Sequence, residues 1–120
     1  MSRVLRSAAL ATLAALTLTA CGGDDSSSSQ PSEPQTGTVE VGMNRLKFDP
    51  EDITVRTGAT ILWTNNENVP HDVVAREGAD FESDQFGEGG TFEWTAESAG
   101  DVKYVCTLHP GMDGTITVVD

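Results

Sequence analysis

The sequence of 120 residues is poor in positive charge, which narrows the partners it could have. It carries seven basic residues against 19 acidic ones, for a net charge of −12. Proteins that bind nucleic acid or adhere to anionic lipid by charge need a basic surface, so this balance argues against both partners. A strongly negative surface suits solubility or a fast encounter with a basic partner protein. The length allows one domain.

Cysteine and histidine are also scarce, with two of each in the chain. In an exported protein, Cys21 and Cys106 would by default form a disulfide. We expect none here, because Cys21 lies at a predicted cleavage site before a flexible stretch and Cys106 lies in a motif of metal-binding residues. A bound metal would explain an unpaired thiol in an oxidising compartment.

Long hydrophobic runs are lacking except for one short run near the N-terminus. Arg3 and Arg6 precede an apolar and small-residue run from Ala8 to Ala20. A transmembrane helix needs about 20 apolar residues, so the run predicts an export signal over residues 1–20, with a permanent anchor helix as the alternative. Loss of this signal leaves five basic residues against 19 acidic ones, a net charge of −14.

The end of the signal bears on where the protein is held. The tetrapeptide Leu18-Thr19-Ala20-Cys21 resembles the bacterial lipobox, in which an acylated cysteine becomes the first residue. This resemblance implies a lipoprotein signal, lipid on Cys21 and attachment to a membrane on the extracytoplasmic side, in the periplasm or at the cell surface. An ordinary secreted cysteine is the alternative.

The remainder divides into a tether and one folded domain. Residues 22–37 contain no large apolar side chain and cannot offset their ordering entropy, so we predict a lipidated cysteine and disordered tether over residues 21–37. From residue 38 to 120, short β-rich runs alternate with turn residues, and no stretch has a helical period. The pattern predicts seven or eight strands in an all-β sandwich or barrel, including a strand from His71 to Ala75. The segment from Arg76 to Gly89 is the least regular and could hold a loop or one helical turn.

One heptapeptide carries the chemistry of the chain, Cys106-Thr107-Leu108-His109-Pro110-Gly111-Met112. Its Cys, His and Met recur at intervals of three, so a loop can turn all three side chains toward one point. Thiolate and thioether are soft ligands, and imidazole suits copper. His71, the one remaining histidine, completes the two His, one Cys and weak axial Met of a blue-copper electron-transfer site. Taken singly, such a cysteine is more often a buried core thiol, such a histidine a surface residue and such a methionine a packing side chain. Their combination at this spacing favours a metal site.

The ligand loop and its flanks resemble one family. The Cys-x-x-His-x-x-Met spacing is similar to the short ligand loop of amicyanin, within the plastocyanin-like cupredoxins. The segments Phe48-Asp49-Pro50, Trp63-Thr64-Asn65, Pro70-His71, Gly100 to Cys106 and Gly114 to Val118 resemble the strands of that family. The resemblance implies a Greek-key β-sandwich, a cupredoxin domain over residues 38–120, with one type 1 copper held by His71, Cys106, His109 and Met112.

The resemblance also assigns residues around the metal. It implies that the Pro70 carbonyl lies near the copper and that Thr107 lies beside the thiolate. Asp72 stands where the family often has Asn. Its carboxylate can accept from Thr107 or from backbone N–H groups but cannot donate, so the hydrogen bonding that sets the potential departs from the family pattern.

These residues lead to a functional hypothesis. Four protein ligands leave no open position for a substrate, so we expect no enzyme but a monomeric carrier of single electrons between redox proteins. His109 would be the electron port, within an apolar docking patch of Leu108, Pro110 and Gly111. Two alternatives remain, a copper storage or delivery protein and a metal-free β-sandwich interaction module. Delivery sites are usually rich in Met or His, whereas the chain beyond its signal has only Met43 and Met112, which favours electron transfer.

Overall fold

The computed structural model describes residues 33–120, where eight strands form two four-stranded sheets. The export signal, Cys21 and most of the predicted tether lie outside the described residues. One sheet has the order β2-β1-β4-β6 and the other the order β3-β8-β7-β5, which confirms the predicted all-β sandwich. The strands are β1 (Thr38–Asn44), β2 (Lys47–Asp49), β3 (Asp52–Arg56), β4 (Thr60–Asn65), β5 (Val74–Glu77), β6 (Thr91–Thr95), β7 (Gly100–Val105) and β8 (Asp113–Val119).

Alternating side chains build the core between the sheets. Along β1 and β4 every second residue is buried, and β7 and β8 alternate in the same way. Trp63 of the first sheet meets Tyr104 of the second edge-on, with ring centroids 5.3 Å apart. Burial raises the pKa of the Tyr104 phenol. A Cβ on the neighbouring Gly114 would overlap the Tyr104 ring, so the small residue makes room for the aromatic one.

Strand register brings four strand ends to one end of the sandwich. In the first sheet, Met43 near the end of β1 is paired with Asn65 at the end of β4. In the second sheet, Val105 at the end of β7 is paired with Asp113 at the start of β8. The loops that leave these positions, residues 66–73 and 106–112, lie side by side, since the Thr107 N–H donates to Asp72 Oδ1 at 2.7 Å.

The predicted strand from His71 to Ala75 is replaced by a shorter one. β5 begins only at Val74, and residues 71–74 are all buried instead of alternating. The reason is that the His71 backbone pairs with Phe86 in an isolated antiparallel β-bridge. The His71 N–H donates to the Phe86 carbonyl at 3.1 Å, and the Phe86 N–H donates to the His71 carbonyl at 2.9 Å. The irregular segment from Arg76 to Gly89 contains no helix and runs back along this stretch through that bridge and one between Val74 and Glu82.

The segment before β1 is hydrogen-bonded to the second sheet. Gln35, which falls in the predicted tether, exchanges backbone hydrogen bonds of 2.9 Å with Thr54 and Arg56 on β3. Over residues 33–120, no helix is long and apolar enough to cross a membrane.

Candidate metal centre

The loop from Cys106 to Met112 is closed by two backbone hydrogen bonds. The Cys106 N–H donates to the Met112 carbonyl at 2.9 Å, and the Met112 N–H donates to the His109 carbonyl at 3.1 Å. The second bond spans a β-turn centred on Pro110 and Gly111. Gly111 has a φ of +88°, which the third residue of a type II turn requires and glycine adopts without steric cost. The turn and the two closing hydrogen bonds therefore bring Cys106, His109 and Met112, which are three residues apart in the sequence, to the same end of the loop.

His71 lies in the loop that follows β4, and the buried side chain of Asn65 fixes the conformation of that loop by hydrogen bonds. The Asn65 side-chain amide donates to the Val69 carbonyl at 2.7 Å and to the Phe86 carbonyl at 3.0 Å. Its carbonyl oxygen accepts from the Glu67 N–H at 2.8 Å. These three bonds fix the backbone of the loop against a side chain that is itself fully buried. His71 follows this braced turn and is fully buried.

The structure brings the candidate ligands together around one sulfur. The Nδ1 atoms of His71 and His109 lie 3.7 and 3.5 Å from the Cys106 Sγ. The three donor atoms all lie within 4.8 Å of one another. Met112 is buried in the same core cluster as Cys106, whereas His109 is only half-buried. Cys106 is an unbridged thiol.

These separations are those that a shared metal ion imposes. A first-row ion about 2.3 Å from sulfur and about 2.0–2.1 Å from imidazole nitrogen would hold the two donors roughly 3.5–3.8 Å apart at tetrahedral or trigonal angles. The observed 3.7 and 3.5 Å agree with that range. Two imidazoles, a thiolate and a thioether form the donor set that favours copper in its electron-transfer sites. The residues present therefore fit a type 1 copper ion.

A carboxylate links the two ligand loops. The Thr107 N–H donates to Asp72 Oδ1 at 2.7 Å, and the Thr107 hydroxyl donates to Asp72 Oδ2. Asp72 follows His71 and Thr107 follows Cys106, so this pair fixes the spacing of the two loops next to their ligands. Both groups that the sequence suggested as donors to Asp72 are used. Pro70, whose carbonyl was expected near the metal, is the exposed residue immediately before His71.

One residue of the site escaped the sequence reasoning. Glu67 Oε1 lies 3.2 Å from Nε2 of His71 and also accepts the Leu46 N–H at 2.8 Å. An acid four residues before a candidate metal-binding histidine is a usable signal, because the second nitrogen of a ligating imidazole usually meets a carboxylate or a carbonyl. Glutamate is not one of the Cys, His and Met ligand types, so the ligand pattern alone does not point to it.

The predicted docking patch lies on the outer side of the loop. Pro110 and Gly111 are exposed, and Leu108 is one of two large hydrophobic residues of the described chain that are exposed. The other is Leu46, in the turn between β1 and β2. Half-buried His109 lies within this surface.

A sandwich that carries two imidazoles, a thiol and a buried thioether at one end defines a type 1 copper protein. Residues 35–119 match the family described as copper binding proteins, plastocyanin/azurin family, and the chain belongs to that family. Copper is therefore its metal, as the sequence predicted. The predicted resemblance to the plastocyanin-like cupredoxins is confirmed.

Individual relatives agree with the family. Amicyanin-alpha of Methylorubrum extorquens is 30% identical over 115 residues, which cover 92% of this chain and 93% of the relative. Plastocyanin of Scenedesmus fuscus is 34% identical over 95 residues, 68% of this chain and 97% of that protein. The solved structure of a purple cupredoxin from Nitrosopumilus maritimus superposes with a TM-score of 0.64 at 26% identity, over 68% of this chain and 99% of the other. The relatives and the donor set together support a type 1 copper electron-transfer protein.

Proposed function

We propose that this protein carries single electrons between extracytoplasmic redox proteins, on copper held by His71, Cys106, His109 and Met112. The observation that carries the proposal is the convergence of two imidazole nitrogens on one buried thiol sulfur, at 3.7 and 3.5 Å. Copper supplies a one-electron couple when bound. Everything else that the function needs is a property of the surrounding residues.

Contacts within the protein fix the positions of the donor atoms. Asn65 braces the loop before His71, the Pro110-Gly111 turn shapes the other loop, and the Asp72–Thr107 contact ties the two together. A site that is already arranged has little to move when an electron arrives. Four protein donors also leave no position for a substrate, and we propose no enzymatic activity.

His109 is the proposed electron port. His71 is fully buried, whereas His109 is half-buried and bordered by exposed Leu108, Pro110 and Gly111. A partner that docks on this patch would meet the His109 edge first. A patch of this size suits the small interfaces of weak redox encounters, and the acidic surface favours a partner with basic residues around its own docking site.

We propose that the protein works as a monomer tethered to a membrane by lipid on Cys21. Support for the tether comes from the sequence of residues 1–37. The test is a Cys21→Ala variant expressed in a bacterium that processes lipoproteins. The wild type is expected in the membrane fraction with the added mass of acyl chains, and the variant is expected without them. Equal distribution and equal mass of the two proteins would contradict the tether.

The function itself is tested by adding Cu(II) to the purified protein without its signal. Intense colour from thiolate-to-copper charge transfer and a reversible one-electron wave in voltammetry are expected. Tight binding with loss of the ion on reduction would instead favour storage or delivery. A protein that stays colourless and binds copper weakly would contradict the copper proposal and favour a metal-free interaction module.

A further inference from the structure

We infer that Glu67 is a positioning residue of the copper centre, which presents the His71 imidazole to the metal and biases the centre toward Cu(II). The inference rests on the proposed function, because it concerns the same site. It assigns a role to a residue that is outside the ligand set and lies four residues before His71 in the same loop.

One carboxylate oxygen of Glu67 contacts both the turn between β1 and β2 and the His71 imidazole. Glu67 Oε1 accepts the Leu46 N–H at 2.8 Å and lies 3.2 Å from Nε2 of His71. The Glu67 backbone is fixed in turn by its N–H bond to Asn65 Oδ1 at 2.8 Å. The side chain of Glu67 is 21% exposed and that of His71 is fully buried, so this contact is largely shielded from solvent.

The second partner of Glu67 is the tight turn between β1 and β2. Asn44 is paired with Lys47, so Arg45 and Leu46 alone form the turn, with φ of 54° and 58°. Two consecutive positive φ values are those of a type I′ hairpin, which usually takes Asn-Gly. Non-glycine residues in this conformation are strained and persist only where the surroundings hold them. The Glu67 carboxylate holds this turn through the Leu46 N–H.

The contact with His71 decides which ring nitrogen carries the proton. In a neutral imidazole one nitrogen donates and the other accepts, and the hydrogen bond of one nitrogen sets the role of the other. A carboxylate at Nε2 keeps the proton there, because the carboxylate can only accept. The lone pair of Nδ1 then points toward the Cys106 Sγ, 3.7 Å away. The imidazole is thus prepared for a metal before any metal is bound.

The carboxylate also adds a negative charge beside one ligand only. Within residues 33–120, no hydrogen bond reaches Nε2 of His109, so the second imidazole has no equivalent partner. A fixed negative charge near the site stabilises the more positive oxidation state. Glu67 should therefore strengthen the binding of Cu(II) relative to Cu(I).

The direct test is Glu67→Gln, which keeps an oxygen to accept from Leu46 and His71 but removes the charge. We expect the affinity ratio of Cu(II) to Cu(I) to fall about tenfold, which is about 59 mV in a one-electron potential. The matched control is Glu97→Gln, the same change at an exposed residue just beyond β6, whose Thr95 is paired with Thr60 at the end of β4 away from the site. We expect less than a twofold change there, because distant surface charges are screened.

A second measurement needs no copper. Long-range ¹H–¹⁵N correlation spectra of the metal-free wild type should show His71 protonated at Nε2. Glu67→Gln should keep that tautomer, since its amide oxygen still accepts, whereas Glu67→Ala should populate both. A purely structural role for Glu67 would change stability without setting the tautomer.

The outcomes separate this inference from the function on which it rests. A wild type without coloured copper binding or a reversible wave would defeat the proposed function. A normal wild type in which Glu67→Gln and Glu97→Gln shift the potential equally would overturn the inference alone. If Glu67→Gln does not fold, the wild-type spectrum decides, and a His71 ring protonated at Nδ1 would overturn it.

Discussion

The two imidazoles of the centre come from regions built in opposite ways. His71 is fully buried, follows a turn braced by Asn65 and has the Glu67 carboxylate on its far nitrogen. His109 is half-buried on a loop shaped by its own backbone and bordered by exposed apolar residues. One region holds a ligand still, and the other brings a ligand to the surface. An electron carrier needs both properties, and here they belong to separate loops.

The thiol lies where the two regions meet, and its removal is expected to have the largest effect. Cys106→Ser replaces the sulfur on which both imidazoles converge by a hard, weakly ligating hydroxyl. We expect complete loss of the intense visible absorption of the copper-loaded protein, with the fold retained by circular dichroism. An undiminished absorption spectrum in the variant would mean that copper is bound elsewhere.

The Asp72–Thr107 contact is the bond between the two regions. Asp72→Ala leaves the Thr107 N–H and hydroxyl without their carboxylate, and hydrogen bonds to a charged group contribute about 1.5–3 kcal/mol each. Thr107 is exposed, so water replaces part of what the two bonds contribute. We expect the free energy of unfolding of the metal-free protein to fall by about 2 kcal/mol in urea titrations.

The control for that change is Asp80→Ala, at an exposed acid. Its free energy of unfolding should stay within about 0.5 kcal/mol of the wild type. Equal losses in the two variants would show that the contact between the loops contributes nothing.

Met112 is the weakest of the four proposed ligands and belongs to the loop that also carries Cys106 and His109. Met112→Leu keeps the volume and burial but removes the thioether, whose role in such sites is to tune the potential. We expect copper to remain bound and the potential to rise by about 60 mV, equivalent to a tenfold change in relative affinity. Voltammetry measures the shift. Loss of all copper binding would contradict a weak axial role.

The smallest expected effect concerns the strained turn of Arg45 and Leu46, which contacts Glu67 in the loop that carries His71. Leu46→Gly relieves a positive φ at an exposed residue, so we expect the free energy of unfolding to rise by about 0.5–1 kcal/mol. The matched control is Leu108→Gly, an exposed leucine whose φ is not positive, which should not stabilise the protein. Equal changes in the two variants would show that the turn is not strained.

The sequence predicted the fold and the donor set because both depend on local patterns. Alternation along β1, β4, β7 and β8 identifies the buried faces, and the spacing from Cys106 to Met112 identifies a ligand loop. His71 could be added only because the chain has one other histidine. That step depended on scarcity, and a chain with more histidines would not have allowed it.

What the sequence could not supply were contacts between distant segments. The alternation from His71 to Ala75 predicted a strand, but the bridge to Phe86 and the bonds of Asp72 with Thr107 bury consecutive residues there. The Glu67 contact joins positions 46, 67 and 71 through a turn with unusual φ values. No local pattern encodes such a meeting, since it depends on how β1 pairs with β2 and β4.

The central claim is that one thiolate and two imidazoles bind the same copper ion. X-ray absorption at the copper edge of the loaded wild type tests it most directly, in both oxidation states. We predict one sulfur at roughly 2.3 Å and two nitrogens at roughly 2.0 Å, nearly unchanged on reduction. A first shell of nitrogen and oxygen without the short sulfur would contradict it.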